Sequence, residues 1–400
     1  MQTANYVGAG ATQETERITI SGYPGETAVI DGQYTYPGGS VYYFLVTIGS
    51  KTSSGKYITL RNVIVKRSSG SLLILAGDYC NAINVTGNGS RESGIVAAAR
   101  NNLIDGCTMT DNGNGYGIGG QGTWGSAICT VGSNTTIQKC ISHDNMGEGI
   151  NAYSSSSNSI IQDNISYNNK SCNLYLDSST GSLVQRNIVY ASPGWNLSSA
   201  RGIFIGAETG QASNLTIINN FAIGNFVNFE TDSNLIQLTN VTVAYNTFVN
   251  ARGNVGIGYN MGVYFRNNLK TFTNSFFKNN IILEEASDHV PISVPSSHSG
   301  LTFSYNNWNK IPVTAARGTG DVIGDPKITK AIYGPGTLTS NYFKIYDASP
   351  AKDAGSAIEG ITTDYFGNTR PQGSAPDMGA HEIYEIADQL LPPSGLRVIY

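Results

Sequence analysis

Between Cys140 and Tyr153 the chain reads CISHDNMGEGINAY, which sets a histidine, two acids and a tyrosine among glycines in fourteen residues. Two short segments downstream carry a similar mixture. CNLYLDS (172–178) brings Tyr175 and Asp177, and RGIFIGAE (201–208) brings Arg201, Phe204 and Glu208. Carboxylates and phenols are side chains of acid–base work on a polar substrate. Glu148 with Asp177 or Glu208 could flank a scissile bond as the two carboxyls of a glycoside hydrolase. Glu148 and Asp177 could instead hold Ca²⁺ through oxygen ligands. The bland counterpart is a solvated sheet face. Against it, the chain is only 13% charged, so Glu148, Asp177, Arg201 and Glu208 on one patch exceed what composition predicts.

These residues meet only if they lie on neighbouring strands. Side chains alternate between the two faces of a strand. With Ile118, Ile150, Leu174 and Ile203 pointing inward, Ala152, Leu176 and Ile205 follow them. Outward then stand Glu148, Asn151 and Tyr153 on one strand, with Tyr175 and Asp177 on the next. Arg201, Phe204 and Glu208 lie beyond, and Tyr116, Gly119 and Gln121 behind. Strand spacing would put the acids, tyrosines and arginine within roughly 5–10 Å of each other.

A repeat supplies those strands. CTMTDN (107–112), CISHDN (140–145), NISYNN (164–169), NIVYAS (187–192), NFAIGN (220–225) and NTFVNA (246–251) superpose, at intervals of 33, 24, 23, 33 and 26 residues. Three residues before each lies an apolar β-former: Ile104, Ile137, Ile161, Val184, Ile217 and Val243. A second short strand follows most of them: SGIVAAAR (93–100), YGIGGQG (116–122), EGINAYS (148–154), CNLYLDS and RGIFIGAE. A unit this short cannot bury its apolar face alone and must stack on its neighbours, which makes a solenoid. Stacking at ~4.8 Å predicts ladders of Asn164, Asn187, Asn220 and Asn246. Cys107 and Cys140 take the same column, as packed thiols or as a disulfide between coils. His143 shares a column with Thr110, Tyr167, Tyr190 and Ile223, which reads as a half-exposed packing position. His381 reads as structural, and His289 and His298 as loop residues.

Bulk composition narrows the classes. The net charge of −4 offers no basic footprint for nucleic acid and no polybasic membrane patch. The longest greasy run, SLLILAG (71–77), is strand-sized, so nothing predicts a membrane span. Asn, Ser, Thr, 47 glycines and 23 tyrosines favour strands and turns over helices. The five cysteines form no CxxC pair, which argues against zinc-ribbon and thioredoxin-type sites. No secretory signal peptide is visible, and the chain opens inside what reads as a β segment.

On the repeat, on ITISGYPGETAVIDG (18–32), and on SPAKDAG (349–355) followed by DYFGNTRPQGSAPDMGAHE (364–382), nearly the whole chain resembles the right-handed parallel β-helix proteins of the pectate-lyase-like superfamily, of the secreted bacterial type. The resemblance implies an all-β solenoid of about ten coils with three parallel sheets. Residues 1–385 would form it, with a C-terminal closing segment over about 340–385, and 386–400 would be an extended tail or linker stub. It also implies an extracellular or cell-surface protein with an acidic polysaccharide lying along one sheet.

Two intervals of 33 residues exceed the norm, and their extra material carries Trp124 (within 119–133) and Trp195 (within 191–202). Loops on a rigid scaffold concentrate binding residues, and flat aromatic faces suit sugar rings. Each tryptophan could equally plug its own loop. Family chemistry would be β-elimination from a uronate, which needs a cation on the substrate carboxylate and an acid–base pair. Arg201 would serve as the cation, Tyr153 or Tyr175 as proton shuttle, and Glu148 with Asp177 as a Ca²⁺ site. Tyr175, Asn151, Trp124, Trp195, Phe204, Glu208 and Gln121 would contact the glycan. The chain departs from characterised relatives: the paired aspartates and Gly-His-Gly of polygalacturonases, the Trp-Ile-Asp-His run of one pectate-lyase family and the Asp-Pro-His of alginate epimerases are all absent. A glycoside hydrolase, a non-catalytic glycan-binding or filament protein, and a self-associating tail-spike fragment stay open.

Overall fold

Short β-forming runs stack coil upon coil into three parallel sheets. The computed structural model describes residues 5–7, 10–34, 44–50, 55–113, 125–153, 156–195, 199–232, 237–267 and 271–384. One coil illustrates the plan: Thr136–Gln138 lies in the second sheet, Ile141–His143 in the third and Glu148–Ala152 in the first. Each strand pairs in parallel with its equivalents one coil away. Among the described residues the first sheet has 11 strands, from Asn5–Val7 to Val290–Ser293. The second and third sheets are joined near the N-terminal end, where Ile58–Ser68 and Asn81–Ser90 run unbroken through their shared corner.

Register sets the core. In the first sheet Ile95, Ile128, Ile150, Leu174, Ile203, Phe229, Val263 and Ile292 align in one inward column. All eight are fully buried. The second sheet contributes Ile104, Ile137, Ile161, Val184, Ile217 and Val243, the apolar residues that precede each repeat, and they too are buried. The third tryptophan, Trp308, is fully buried near the far end and donates through Nε1 to Asp321 at 3.0 Å.

The corner between second and third sheets is closed by side-chain amides. Asn164 donates through Nδ2 to Asn187 Oδ1 at 2.9 Å and to the Ile137 carbonyl at 3.0 Å. The pattern repeats through Asn187, Asn220, Asn246 and Asn280 to Asn306, whose backbone N–H ends on Asp321. A carboxamide carries two donors and an acceptor with two lone pairs, so one residue serves the coil on either side. The tight turn throws the preceding residue into left-handed φ, even at Arg186 (52°) and Tyr245 (54°). An L-residue there costs roughly 1 kcal/mol, which the amide bonds offset. Cys140 occupies the column as a free thiol, its backbone N–H bonded to Asn164 Oδ1 at 2.8 Å. All five cysteines are free and buried, which decides for packed thiols over a disulfide.

The outer face of the third sheet is covered by the C-terminal segment. Ile328, Leu338, Phe343, Ile345 and Met378 pack on Ile188, Tyr190, Phe221 and Ile223. Arg370 anchors the segment, donating to Glu382 Oε2 at 2.8 Å and to the Gly379 carbonyl at 2.7 Å beneath the Tyr245 ring. His143 belongs to this face, stacked on Tyr167 (4.7 Å), which stacks on Tyr190 (4.8 Å). It is a packing residue remote from the first sheet.

One expected strand is not the one that pairs. YGIGGQG (116–122) falls within the segment 114–124, outside the described residues, and Ile128–Thr130 takes that coil's place in the first sheet. Ile128 continues the apolar column between Ile95 and Ile150. Cys129, not Gly119 or Gln121, is therefore the outward residue beside Asn151.

Replacing Asn220 by alanine should strand the backbone N–H of Asn187, take one of the three partners of its Nδ2, and remove the donor that serves the Val184 and Ile218 carbonyls. The expected loss is about 2–4 kcal/mol, read as a lower urea midpoint at unchanged m. Gln185→Ala, which removes the outer Gln185–Gln162 bond, should cost under about 1 kcal/mol.

Candidate functional site

The site residues stand on the outer face of the first sheet, and a local bend aims them. A Cβ on Gly149 would lie 2.2 Å from Ser166 Oγ and 2.5 Å from Asn169 Nδ2, so only glycine can turn inward there. With Gly149 and Ile150 both directed to the interior, alternation restarts and Glu148 is thrown outward. It stands in register with Cys172 and then Arg201 on the following coils. A second outward row runs Cys129, Asn151, Tyr175, Phe204, Glu230 and Tyr264.

Between these rows opens a cavity of about 590 Å³. It brings together six of the expected residues: Glu148, Asn151, Tyr153, Tyr175, Phe204 and Glu208. Ser126 joins them, donating to Glu148 Oε2 at 3.0 Å and accepting from Asn151 Nδ2 at 3.2 Å. Asn151 is buried, and its Oδ1 is a buried acceptor without a protein donor. On the opposite side, Tyr175 donates through its hydroxyl to Glu208 Oε1 at 3.1 Å.

Asp177 lies beneath rather than in the cavity. It is fully buried, and its Oδ1 accepts from the Glu208 backbone N–H at 2.8 Å and from Ser178 Oγ at 3.0 Å. It therefore ties down the loop that carries Glu208. Arg201 is two coils from Glu148, with buried Cys172 between them. Its guanidinium donates to Glu230 Oε2 at 3.0 Å and to the Ser199 carbonyl at 3.0 Å, between the rings of Phe204 and Phe226. Its charge is spent on Glu230 and not on the cavity. Trp195 is half-buried in a turn closed on Ser192, its Nε1 without an acceptor, and is not part of the cavity wall. Trp124 and Gln121 lie outside the described residues.

Crowding of acids governs the electrostatics. Burial pushes the Glu148 carboxyl up to about 7, and the charges of Glu208 and Asp177 push the same way. Burial and the neighbouring Asp177 and Asp232 raise Glu208, while the Tyr175 hydroxyl works against them. Asp177 is raised as well, by burial first and then by Asp232. Both Tyr153 and Tyr175 are held protonated by burial and by these acids, which makes them donors and poor bases. Burial lifts the Cys129 thiol to about 12 and Cys172 well above the usual range, so neither is a nucleophile at neutral pH.

Glu148 and Asp177, the pair expected to hold Ca²⁺, have different partners: Glu148 Oε2 accepts from Ser126, and Asp177 Oδ1 from the Glu208 backbone N–H. Sequence reasoning missed Ser126, Cys129 and Glu230. The alternating AICTV run (127–131) held the signal for Cys129, whereas nothing in the repeat marked Glu230.

A family profile described as "Right handed beta helix region" matches residues 48–235. The chain is a right-handed parallel β-helix. Among solved structures the β-helix is similar to pectate lyase Pel9A, at 18% identity and a TM-score of 0.50, over 95% of this chain and 85% of that one. It is also similar to XylC, solved in complex with xylose, at 12% identity and a TM-score of 0.52. That match covers 83% of this chain and 65% of the other, just under two thirds of its length. A search of curated proteins gave no match. Among the described residues no helix of the β-helix is long and apolar enough to cross a membrane.

Because the Glu148 pKa is raised in the fold, from 4.5 to about 7, the fold favours its neutral form. That contribution is fully present below the unfolded pKa and is lost as pH rises through about 7. It amounts to roughly 3 kcal/mol. Thermal unfolding between pH 5 and 8 should show wild type losing stability relative to Glu148→Gln, the neutral isostere. Parallel curves for the two proteins would contradict this account.

Proposed function

We propose that this β-helix is an extracellular polysaccharide-active enzyme that binds a glycan along its first sheet and cleaves it by hydrolysis between Glu148 and Glu208. The observation that carries the reading is a buried carboxyl, Glu148, raised to about 7 beside a second carboxyl in an open cavity. Near neutral pH the first can give up a proton to a departing glycosidic oxygen. Glu208, held by Tyr175 and by the Asp177 anchor beneath it, would activate water or attack as a nucleophile. Tyr153, which lines the cavity, would meet sugar hydroxyls. The similarity to pectate lyase Pel9A and to XylC, solved in complex with xylose, supports a carbohydrate partner.

Elimination from a uronate is the less favoured chemistry. It needs a cation at the substrate carboxylate, and Arg201, the residue expected to provide it, stands two coils from Glu148 and is paired with Glu230 on the next coil.

Incubation with neutral and uronic-acid polysaccharides should release reducing ends without the ultraviolet absorbance of unsaturated sugars. Glu148→Gln should lower kcat by about 10²–10⁴-fold with little change in binding. The rate should fall as pH rises through about 7, where Glu148 gives up its proton. Unsaturated products would overturn hydrolysis in favour of elimination. Binding without turnover across the panel would leave a glycan-binding module.

A further inference from the structure

Ser126 precedes Glu148 by one coil and stands in register with it, since Ile128 pairs with Ile150 two residues on. The Ala127 backbone N–H donates to the Glu148 carbonyl at 2.8 Å, so the sheet ladder holds the two side chains together. Both Ser126 and Asn151 are buried. A hydroxyl has one hydrogen and two lone pairs. Asn151 Nδ2 donates to Ser126 Oγ at 3.2 Å, and the Cys129 thiol bonds to the same hydroxyl. Burial keeps that thiol protonated, which makes it a second donor. The one hydrogen of Ser126 is left for Glu148 Oε2, 3.0 Å away. Turned over, the Asn151 amide would set Oδ1 on Ser126 and compete for that hydrogen. The observed orientation leaves Oδ1 buried without a donor and keeps the hydroxyl aimed at Glu148.

From this geometry we infer that Ser126, oriented by Asn151, is a positioning residue that keeps the acidic proton of Glu148 on Oε1. The inference rests on the reading of Glu148 as the acid that serves a departing glycosidic oxygen. In a neutral carboxyl one oxygen carries the hydrogen and the other is the better acceptor. With Ser126 donating to Oε2, the hydrogen belongs on Oε1. As Oε1 passes its proton to the glycosidic oxygen, the carbon–oxygen bond breaks and its electron pair leaves with that oxygen. The charge left on Glu148 spreads over both carboxylate oxygens, and the bond from Ser126 becomes charge-assisted and stronger. Such a bond favours the proton in flight over the resting acid.

The other groups around Glu148 oppose its ionisation or stay neutral. Glu208 and Asp177 add negative charge, and Tyr153 keeps its proton. Cys172, in register on the following coil, is a buried thiol. Arg201, next in that row, is turned to Glu230, which it shares with Arg266 at 2.6 Å. The two donors that favour the carboxylate are Ser126 and the backbone N–H of Glu148 itself.

Two readouts on the full chain separate this inference from the hydrolytic reading. The first needs no substrate: the pH at which stability, relative to the matching Glu148→Gln protein, has finished falling. The second is the pH profile of kcat on a polysaccharide that the wild type hydrolyses. Loss of the Ser126 donor disfavours the anion. Ser126→Ala should therefore move the first pH up from about 7 by about one unit, a tenfold change in the ionisation constant. The alkaline limb of kcat should rise with it, while kcat falls about 10–100-fold and KM changes little. Ser126→Thr, which keeps the hydroxyl, should restore both. Asn151→Ala frees the hydroxyl to turn and should give a smaller shift in the same direction. Melting at pH 5 close to wild type shows that each variant folds, and should Ser126→Ala fail to fold, Asn151→Ala carries the test. An unmoved pH would overturn the inference. So would one that falls, because Glu148 would then be giving its proton to Ser126. A rise in a protein that hydrolyses no polysaccharide would overturn hydrolysis and leave Ser126 in control of the Glu148 proton.

Discussion

A parallel coil must turn its backbone at every corner without stranding amides and carbonyls in a dry interior, and buried asparagine carboxamides meet that demand here. The run from Asn164 to Asn306 closes one corner. A second run, Asn112, Asn145, Asn169, Asn173, Asn225 and Asn228, closes the corner that leads into the first sheet. Most of these carboxamides bond both to a neighbouring carboxamide and to a backbone carbonyl, so a coil slipped by one residue would leave several buried polar groups unmatched. Register is thus fixed by polar bonds as much as by the isoleucine columns. The outward rows inherit that register, and with it the positions of Glu148, Tyr175 and Phe204.

The second corner also creates the site. Ser166 and Asn169 crowd the interior where the first-sheet strand enters, and only a glycine at position 149 leaves room for them. The restart of alternation at Gly149 is what exposes Glu148 to the cavity while its flanks stay buried. A carboxyl in that position loses much of its hydration without gaining a cation, so it holds its proton. Asp177 and Glu208 deepen the effect by adding negative charge nearby. Scaffold and chemistry are therefore not separate here: the packing that closes the corner is the cause of the raised pKa.

The repeat, the apolar residues three positions before each turn and the asparagine column were legible in the sequence because each recurs, and recurrence is what stacking demands. Trp308 as a core plug left no periodic trace, and the C-terminal segment was expected from its resemblance rather than from the repeat, since its contacts with Tyr190 span more than a hundred residues. In the site, alternation found Asn151, Tyr153, Tyr175 and Phe204, since a period of two survives in these short strands. It did not foresee that Arg201 would turn to Glu230, because that partner comes from the next coil and belongs to no repeat. The first-sheet strand at Ile128–Thr130 was hidden by a 33-residue interval in which the glycine-rich YGIGGQG looked more like its neighbours than AICTV did.

The pairing of Arg201 with Glu230 bears on what the first sheet is for. Burying a carboxylate costs several kcal/mol even when it is paired, and one arginine would suffice to balance its charge. Two arginines over-compensate, and a surplus cation is tolerable only at a surface where water or a ligand can reach it. Both guanidiniums keep that access, at 19% and 21% exposure, while the carboxylate has none. A stabilising device alone would favour one well-packed pair or an apolar substitute. Glu230 pairs with both guanidiniums and holds them on the sheet surface. The same face thus runs from crowded acids to crowded guanidiniums over a few coils, and a polymer lying along it would meet opposite fields at its two ends. Such a polarity gives a repetitive scaffold what repetition cannot supply, a direction in which the chain must lie.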